Sequence, residues 1–315
     1  MAVNLKGRSL MTLKDWTPEE VRHVLDLSHR VKKERKSGKR SLRFQGSTLA
    51  LLFEKRSTRT RCAFETAFGE EGGHPVFLST ADIHLGTKEA LEDTARVLGR
   101  MFDAIEFRGF KQSTIESLAK WSGVPVYNGL TDEWHPTQVL ADLMTLEEAF
   151  GTLKGRKLAF VGDGRNNVAH TLLVGCSQLG VHVTIAAPAA LQPATEVVDW
   201  ARTMAGGAGS TVSVTADPAA AVRGADAVYT DVWVSMGEEE KSAERIALLS
   251  PYQVNESLMA KTGNRDTIFL HCLPAVKGKE VTEEVIEGAR SRVWDEAENR
   301  KHTIKAMMLA TLKSA

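Results

Sequence analysis

The sequence has few cysteines, no long hydrophobic run and no signal-peptide pattern at its start. Its three cysteines, Cys62, Cys176 and Cys272, are odd in number, far apart and not arranged as CxxC. They therefore indicate neither a disulfide framework nor a structural zinc site. Apolar stretches such as residues 49–53 fall far short of the roughly 20 residues that a membrane helix needs. We expect a cytoplasmic protein without a membrane segment.

The chain also lacks an excess of charge. Lys and Arg together number 40, as do Asp and Glu, so the formal net charge is zero. No general basic field is available to attract nucleic acid, and any anion site must be local. At about 150 residues per domain, the length of 315 residues favours two domains. We place them at residues 1–150 and 151–315, with the last helix, about 296–315, returning to the first domain.

Short apolar runs alternate with helical patterns along the chain. This alternation predicts an α/β fold of two doubly wound parallel-sheet domains, with the C-terminal helix packing back on the first domain. The predicted strands are residues 48–53, 104–107, 124–127, 158–161, 181–186, 211–214, 227–230, 268–270 and 292–294. The predicted helices include residues 61–70, 88–102, 136–150 and 296–312.

A run of hydroxyl and basic residues follows the first predicted strand. Residues 54–61 read EKRSTRTR, which places three hydroxyls and three guanidiniums at the start of a helix. Helix N-terminal N–H groups, hydroxyls and arginine side chains together bind phosphate well. The segment has no Gly and no GxxxxGK[ST] pattern, so it is not a nucleotide-binding P-loop. It is a candidate phosphate site, and an exposed basic turn is the alternative.

Other polar residues follow predicted strands, where ligands bind in open α/β sheets. They include Arg108, Asp231 and the HCLP run at 271–274, and the HPTQ run at 135–138 opens the predicted helix 136–150. Each has a structural explanation when taken alone, as a surface arginine, a helix cap or an inert thiol. Together they suit a phosphate substrate that carries a carbonyl group, because such a substrate needs donors aimed at the oxygen that gains charge.

As a set, these positions resemble the aspartate/ornithine carbamoyltransferase family from end to end of the chain. The runs STRTR at 57–61 and HPTQ at 135–138 match the motifs with which the family binds carbamoyl phosphate. Asp231 with SMG at 235–237, and HCLP at 271–274, match motifs of its ornithine branch. The resemblance implies transfer of a carbamoyl group to the δ-amine of L-ornithine, which gives L-citrulline and phosphate. It also implies a homotrimer or a multiple of trimers, with no cofactor and no metal.

The resemblance implies a role for each matched residue. The phosphate is expected to be bound by Ser57, Thr58, Arg59 and Thr60, with His84 reaching the site of a neighbouring subunit. The carbamoyl group is expected to be held by Arg108, His135, Gln138 and Arg300. Ornithine is expected to be bound by Asn167, Asp231, Ser235, Met236, Cys272 and the backbone of Leu273. The expected catalytic residues are Arg108, His135, Cys272 and Arg300.

Two other activities fit parts of the sequence. A carbamoyltransferase that acts on a diamine such as putrescine would not need Asn167 and Met236. A Rossmann-type oxidoreductase would use the same kind of sheet, but the run GDGRNN at 162–167 lacks the full GxGxxG pattern. No acidic residue follows the next predicted strand either, which argues against a dinucleotide. Either Cys272 or a phosphate oxygen could accept the proton of the amine, and the physiological direction is open.

Overall fold

The structure is a computed structural model that describes residues 3–80, 83, 88–234 and 242–312. The strands are β1 Thr48–Phe53, β2 His74–Ser79, β3 Ala104–Arg108, β4 Val126–Leu130, β5 Lys157–Val161, β6 His182–Ala186, β7 Val212–Thr215, β8 Ala227–Tyr229 and β9 Ile268–Leu270. The α-helices are α1 Pro18–Lys36, α2 Thr58–Gly69, α3 Leu91–Met101, α4 Gln112–Ser122, α5 Pro136–Phe150, α6 Asn167–Gln178, α7 Thr195–Ala208, α8 Pro218–Val222, α9 Ser242–Leu249, α10 Glu256–Ala260, α11 Glu283–Ile286 and α12 Val293–Leu312. Among these helices, none is long and apolar enough to cross a membrane.

The strands form two parallel sheets. Their orders are β2-β1-β3-β4 and β7-β6-β5-β8-β9. In each sheet the strand order reverses beside the first strand, which is the doubly wound arrangement that the sequence predicts, and this prediction is confirmed. The chain divides into a first unit of Met1–Met144 with Asn299–Ala315 and a second unit of Thr145–Glu298.

In the first unit, the sheet separates two kinds of surface. Leu52, Ile105 and Phe107 face a wholly apolar core together with side chains of α3 and α4. Alternate residues of the same strands face the opposite way, as period-two geometry requires. On that side the second part of α12 belongs to this unit, and the hydroxyls of Thr311 and Tyr127 lie 2.7 Å apart. The return of the last helix to the first domain is thus confirmed.

In the second unit, β5 and β8 lie side by side at the point where the strand order reverses. The Thr230 hydroxyl, just after β8, donates to the Val161 carbonyl at the end of β5 over 2.6 Å. This bond holds the carboxyl ends of the two strands together. The polar turns that follow them, at 162–167 and from Asp231 onward, therefore begin at one place on the sheet edge.

The strand predicted at residues 292–294 is wrong, because α12 begins at Val293. Only Ser291 makes an isolated bridge to Phe269. Val293 is buried while Trp294 is 60 % exposed, so the two apolar residues belong to the first turn of a helix with one buried face. Two apolar residues after an arginine do not distinguish a strand from a helix. The first turn of this helix is fixed by Glu296, whose carboxylate accepts hydrogen bonds from the Tyr229 hydroxyl and the His271 backbone N–H.

In the first unit the sequence predictions omitted α1, α4 and the edge strand β2, and in the second unit they gave no bounds for the helices α6 to α11. The signal for α1 was present, since Thr17 and Glu20 form a capping box at its start. β2 is harder to recognise because its residues are only half-buried and one of them is Pro75. Edge strands tolerate proline and partial exposure, so they lack the continuous apolar run of a central strand.

Candidate active site

The turn between β1 and α2 lies where the strand order of the first sheet reverses. Ser57 caps α2 by accepting a hydrogen bond from the Thr60 N–H over 3.2 Å. The first turn of the helix contains no acidic residue. Its N-terminal N–H groups and the positive end of its dipole are therefore available to an anion. Thr58 is exposed and Arg59 half-buried beside this helix end.

The hydroxyl of Thr60 is the acceptor that joins two arginines from distant parts of the chain. Arg108, at the end of β3, donates to it over 3.2 Å, and Arg300 of α12 donates over 3.1 Å. Thr60 is fully buried, and the two arginines are 7 % and 3 % exposed. The structure thus brings together these three residues, which the sequence resemblance assigned to one site.

The HPTQ run at the start of α5 meets the same arginine. The Gln138 side-chain oxygen accepts from Arg300 over 3.1 Å, while its amide nitrogen donates to Asp142 over 2.8 Å. The Thr137 hydroxyl also accepts from Arg300, over 3.4 Å. These contacts fix the orientation of both Gln138 and the guanidinium. Thr137 and Asp142 were not among the sequence candidates, since neither residue type alone indicates such a contact.

His135 lies within reach of three positive charges and is 4 % exposed. Burial lowers the pKa of its imidazole well below the usual value, and the charges of Arg300, Arg108 and Arg59 lower this pKa further. The ring is therefore neutral at neutral pH. A neutral imidazole can donate one hydrogen bond to a carbonyl oxygen without adding charge to the site.

Arg61 does not belong to this cluster, although the EKRSTRTR run suggested three guanidiniums at one helix end. Its guanidinium stacks on Phe77, 3.8 Å from the ring centre, and pairs with Glu65 over 2.9 Å. Arg56 is exposed. The guanidiniums that act on His135 belong to Arg59, Arg108 and Arg300 instead. The fold thus brings Arg108 and Arg300 from distant parts of the chain to this site, where the sequence had suggested Arg56 and Arg61.

In the second unit, Asp231 is a shared acceptor at the ends of β5 and β8. Its carboxylate accepts from the Asn166 amide over 2.7 Å, from the Val232 N–H over 2.8 Å and from the Cys272 thiol over 3.1 Å. Asn166 also caps α6, because its side-chain oxygen accepts from the Val168 N–H. The sequence prediction chose Asn167, which begins α6 and is half-buried. Asn166 was missed, although asparagine before a helix is a typical cap.

The HCLP run forms a turn that holds Cys272 against Asp231. The backbone N–H of Leu273 donates to Nδ1 of His271 over 2.8 Å, and Leu273 adopts a left-handed φ of 58°. The other ring nitrogen of His271 faces the buried Glu280 at 3.5 Å. Since the thiol faces a carboxylate, loss of its proton would place two negative charges side by side. This geometry favours the protonated thiol.

Asp231 and two residues of the HCLP turn form a group of potential metal ligands. Asp231, His271 and Cys272 each bring one ligand atom within 4.8 Å of the others, the only such group found within the described ranges. A borderline-soft cation such as Zn²⁺ suits this donor set. All three side chains already make hydrogen bonds within the turn. Three further sequence candidates, His84, Ser235 and Met236, lie outside the described residues.

Comparison with known proteins gives matches over nearly the whole chain. Residues 8–148 match the family model for the carbamoyl-phosphate-binding domain of aspartate/ornithine carbamoyltransferases, and residues 154–311 match the model for the aspartate/ornithine-binding domain. The chain is 69 % identical over 312 residues to an ornithine carbamoyltransferase of Caldanaerobacter subterraneus subsp. tengcongensis, covering 99 % of this chain and 100 % of that protein. It is 64 % identical to the one from Thermotoga maritima, with the same coverage. The solved ornithine carbamoyltransferase of Pyrococcus furiosus is similar with a TM-score of 0.96 and 45 % identity, over 99 % of both chains.

The lowered pKa of His135 has a measurable consequence. We expect its imidazole to stay neutral at pH values where the same group of the unfolded chain, which titrates near 6.5, has taken up a proton. The folded protein then binds fewer protons at His135 than the unfolded chain, so this residue lowers stability as pH falls below about 6.5. NMR titration of ¹³C-labelled histidine gives the midpoint, and His135→Gln identifies the resonance. A midpoint at or above that of the urea-unfolded protein would contradict this electrostatic description.

Proposed function

Because the chain belongs to the aspartate/ornithine carbamoyltransferase family, we propose that it transfers the carbamoyl group of carbamoyl phosphate to the δ-amine of L-ornithine. The products are L-citrulline and phosphate. The observation that carries the proposal is the buried cluster in which Arg108 and Arg300 share the Thr60 hydroxyl beside a neutral His135. Such a cluster suits a substrate that joins a phosphate to a carbonyl. The identity of 69 % to a protein named for ornithine supports the choice of acceptor.

We propose a division of labour along the chain. Residues 1–150, with the last helix of about 296–315, bind carbamoyl phosphate, and residues 151–295 bind ornithine. The support is that every described candidate for phosphate binding lies in the first unit, and every described candidate for ornithine binding lies in the second. The absence of a cofactor and the cytoplasmic location stay predictions.

The phosphate is held by the helix end at 57–60. Ser57, Thr58 and Thr60 offer hydroxyls and backbone N–H groups, and Arg59 offers a positively charged guanidinium with several N–H donors. The positive charge of Arg59 suits the negative charge of phosphate, and the several N–H and O–H donors suit its oxygen acceptors. They also hold the leaving group in place while the bond between the carbamoyl carbon and the bridging oxygen breaks.

The carbamoyl oxygen gains negative charge when the amine attacks. Arg108, His135 and Arg300 are placed to donate to it, with Gln138 directing Arg300. Each such donor is worth on the order of 3 kcal/mol in the transition state. Attack forms the bond between the δ-nitrogen and the carbamoyl carbon. When the tetrahedral intermediate collapses, the C=O bond forms again, the bond from carbon to the bridging oxygen breaks, and phosphate leaves the ureido group of citrulline.

Ornithine is bound by Asn167, Asp231, Ser235, Met236, Cys272 and the backbone of Leu273. The δ-amine has a lysine-like pKa of about 10.4, so it loses a proton before or during attack. The Cys272 thiol already donates to Asp231, and this makes it a poor proton acceptor. An oxygen of the phosphate is therefore the preferred base, and Cys272 positions the amine.

The acceptor is tested by citrulline formation. We expect purified protein with carbamoyl phosphate to carbamoylate ornithine at least tenfold more efficiently than putrescine or aspartate. Only ornithine has both a δ-amine and an amino-acid end for the proposed ornithine-binding residues to contact. Radiolabelled carbamoyl phosphate allows all three products to be compared in one assay. A preference for putrescine or aspartate would overturn the choice of acceptor.

Two substitutions test the division of labour. Arg59→Ala should raise the KM for carbamoyl phosphate, and Asp231→Ala should raise the KM for ornithine. Loss of a charge-assisted contact costs roughly 1.5 to 3 kcal/mol, which is about 10- to 150-fold. Lys36→Ala, at an exposed position of α1, is the control. If each variant raised the KM values of both substrates equally, this would count against separate binding residues for the two substrates.

We also propose a homotrimer, or a multiple of trimers, in which His84 of one subunit completes the phosphate site of the next. The support is the family resemblance, since His84 stands in a Gly-containing run between β2 and α3 that matches the segment with which family members reach a neighbouring subunit's phosphate site. A cyclic head-to-tail trimer lets each chain offer this run to its neighbour.

Mixing two inactive variants tests the shared site. His84→Ala and Arg108→Ala should each be nearly inactive alone, and activity should reappear after subunit exchange. A hybrid trimer then contains one site with both residues intact, each from a different chain. Native mass spectrometry verifies that hybrids form. Hybrids without activity would show that His84 does not act in a neighbouring site.

A further inference from the structure

Glu106 is a fully buried carboxyl group that the proposed reaction does not use. It lies in β3, two residues before Arg108, so both side chains are on the same face of the sheet. Its exposed fraction is zero. Neither carboxyl oxygen has a hydrogen-bond partner in the part of the chain that the structure describes. A buried carboxyl without such bonds costs stability, which raises the question of what it contributes.

The carboxyl lies next to the hydroxyl that joins the two arginines. A Cβ atom placed on Gly129 would lie 1.8 Å from Oε1 of Glu106 and 3.0 Å from the Thr60 methyl carbon. Glu106 therefore fills the space over Gly129, a residue without a side chain, beside Thr60. The hydroxyl of the same Thr60 accepts the bonds from Arg108 and Arg300.

Two opposing effects act on the Glu106 proton. Burial raises the pKa of the carboxyl well above its usual value, and the charges of Arg108 and Arg300 lower it. The residues in register on the adjoining strands are Leu51 and Tyr127. Tyr127 is uncharged, because burial raises its pKa as well. The state of Glu106 thus depends on two guanidiniums that lie at Thr60, beside the helix end proposed to bind the phosphate.

We propose that Glu106 couples phosphate binding to uptake of one proton, and that its neutral form is the one that accepts the substrate. The inference rests on the proposed function, since it takes carbamoyl phosphate as the anion. A phosphate dianion near Arg108 and Arg300 offsets the charges that stabilise the Glu106 carboxylate and adds a like charge of its own. The carboxylate then takes a proton from the solvent. Glu106 is a positioning residue, because it acts through the arginines.

The coupling predicts the direction of a pH effect. Above the pKa of Glu106 in the empty site, binding requires the uptake of a proton, so the affinity for phosphate falls as pH rises. The fall is about tenfold per pH unit until the pKa of the bound state is reached. Below the pKa of the empty site, Glu106 is already neutral and the affinity no longer depends on it.

Kinetics of Glu106→Gln test this directly. Glutamine keeps the size of the side chain and fixes it in an uncharged form. We expect the KM for carbamoyl phosphate of the wild type to rise between about pH 6 and 9, by threefold or more, while that of Glu106→Gln stays within about twofold. The kcat of the variant should stay within about threefold of the wild type. Glu116→Gln, at an exposed position of α4, should retain the wild-type profile.

Calorimetry of the wild type provides a second test that needs no variant. Inorganic phosphate is titrated into the protein at about pH 8.5 in two buffers with different ionisation enthalpies, and the difference in heat gives the number of protons taken up. We expect close to one proton for the wild type and for Glu116→Gln, and none for Glu106→Gln. If the wild type forms citrulline but takes up no proton, or if both KM profiles coincide, the inference fails and the proposed function stands. If citrulline is not formed, the proposed function fails, while the proton count still decides the inference.

Discussion

The hydrogen bonds from Arg108 and Arg300 to Thr60 determine how the proposed carbamoyl-phosphate site of the first unit is built. They join residues 48 and 240 positions apart along the chain. A buried guanidinium is costly unless its N–H groups are bonded, so each arginine requires these polar partners in place. The β1–α2 turn, the end of β3 and α12 must therefore meet at this point. The return of the last helix to the first unit is a condition of the site as well as a feature of the fold.

The proposed ornithine site of the second unit is also built around one hydrogen-bonded group, which here is negatively charged. Asp231 lies at the reversal of the second sheet and accepts three hydrogen bonds, one of them from Cys272. Its neighbour Glu296 fixes the backbone of His271, from which the thiol-bearing turn begins. The first unit thus places guanidiniums at the site proposed for the phosphate substrate, and the second places a carboxylate at the site proposed for the amine substrate. The shared architecture positions the site, and the charge at the strand ends selects the ligand.

The sequence predicted most reliably what depends on local pattern. The strands β1 and β3 are buried apolar runs, and α5 has a proline at its start and a glycine beyond its end, so their positions follow from the residues themselves. The strand predicted at 292–294 was wrong because its two apolar residues, Val293 and Trp294, fit either a strand or a helix turn. The partners Thr137, Asp142 and Asn166 could not be found in this way, since a hydrogen-bond partner is set by the fold. Arg300 was found only through the family resemblance, because nothing in its local sequence distinguishes it from other helical arginines.

The neutral state of His135 explains how binding and catalysis can be separated in one site. In the proposed reaction Arg59, Arg108 and Arg300 supply positive charge near the phosphate dianion, while burial first, and the charges of these arginines second, lower the pKa of the imidazole and keep it neutral. A charged imidazole would bind the ground-state dianion more tightly as well, which lowers KM without raising kcat. A neutral N–H donor interacts weakly with the ground-state carbonyl and more strongly with the oxygen once it carries charge. In the proposed mechanism the arginines contribute to substrate binding, and the neutrality of the buried His135 directs its contribution toward the transition state.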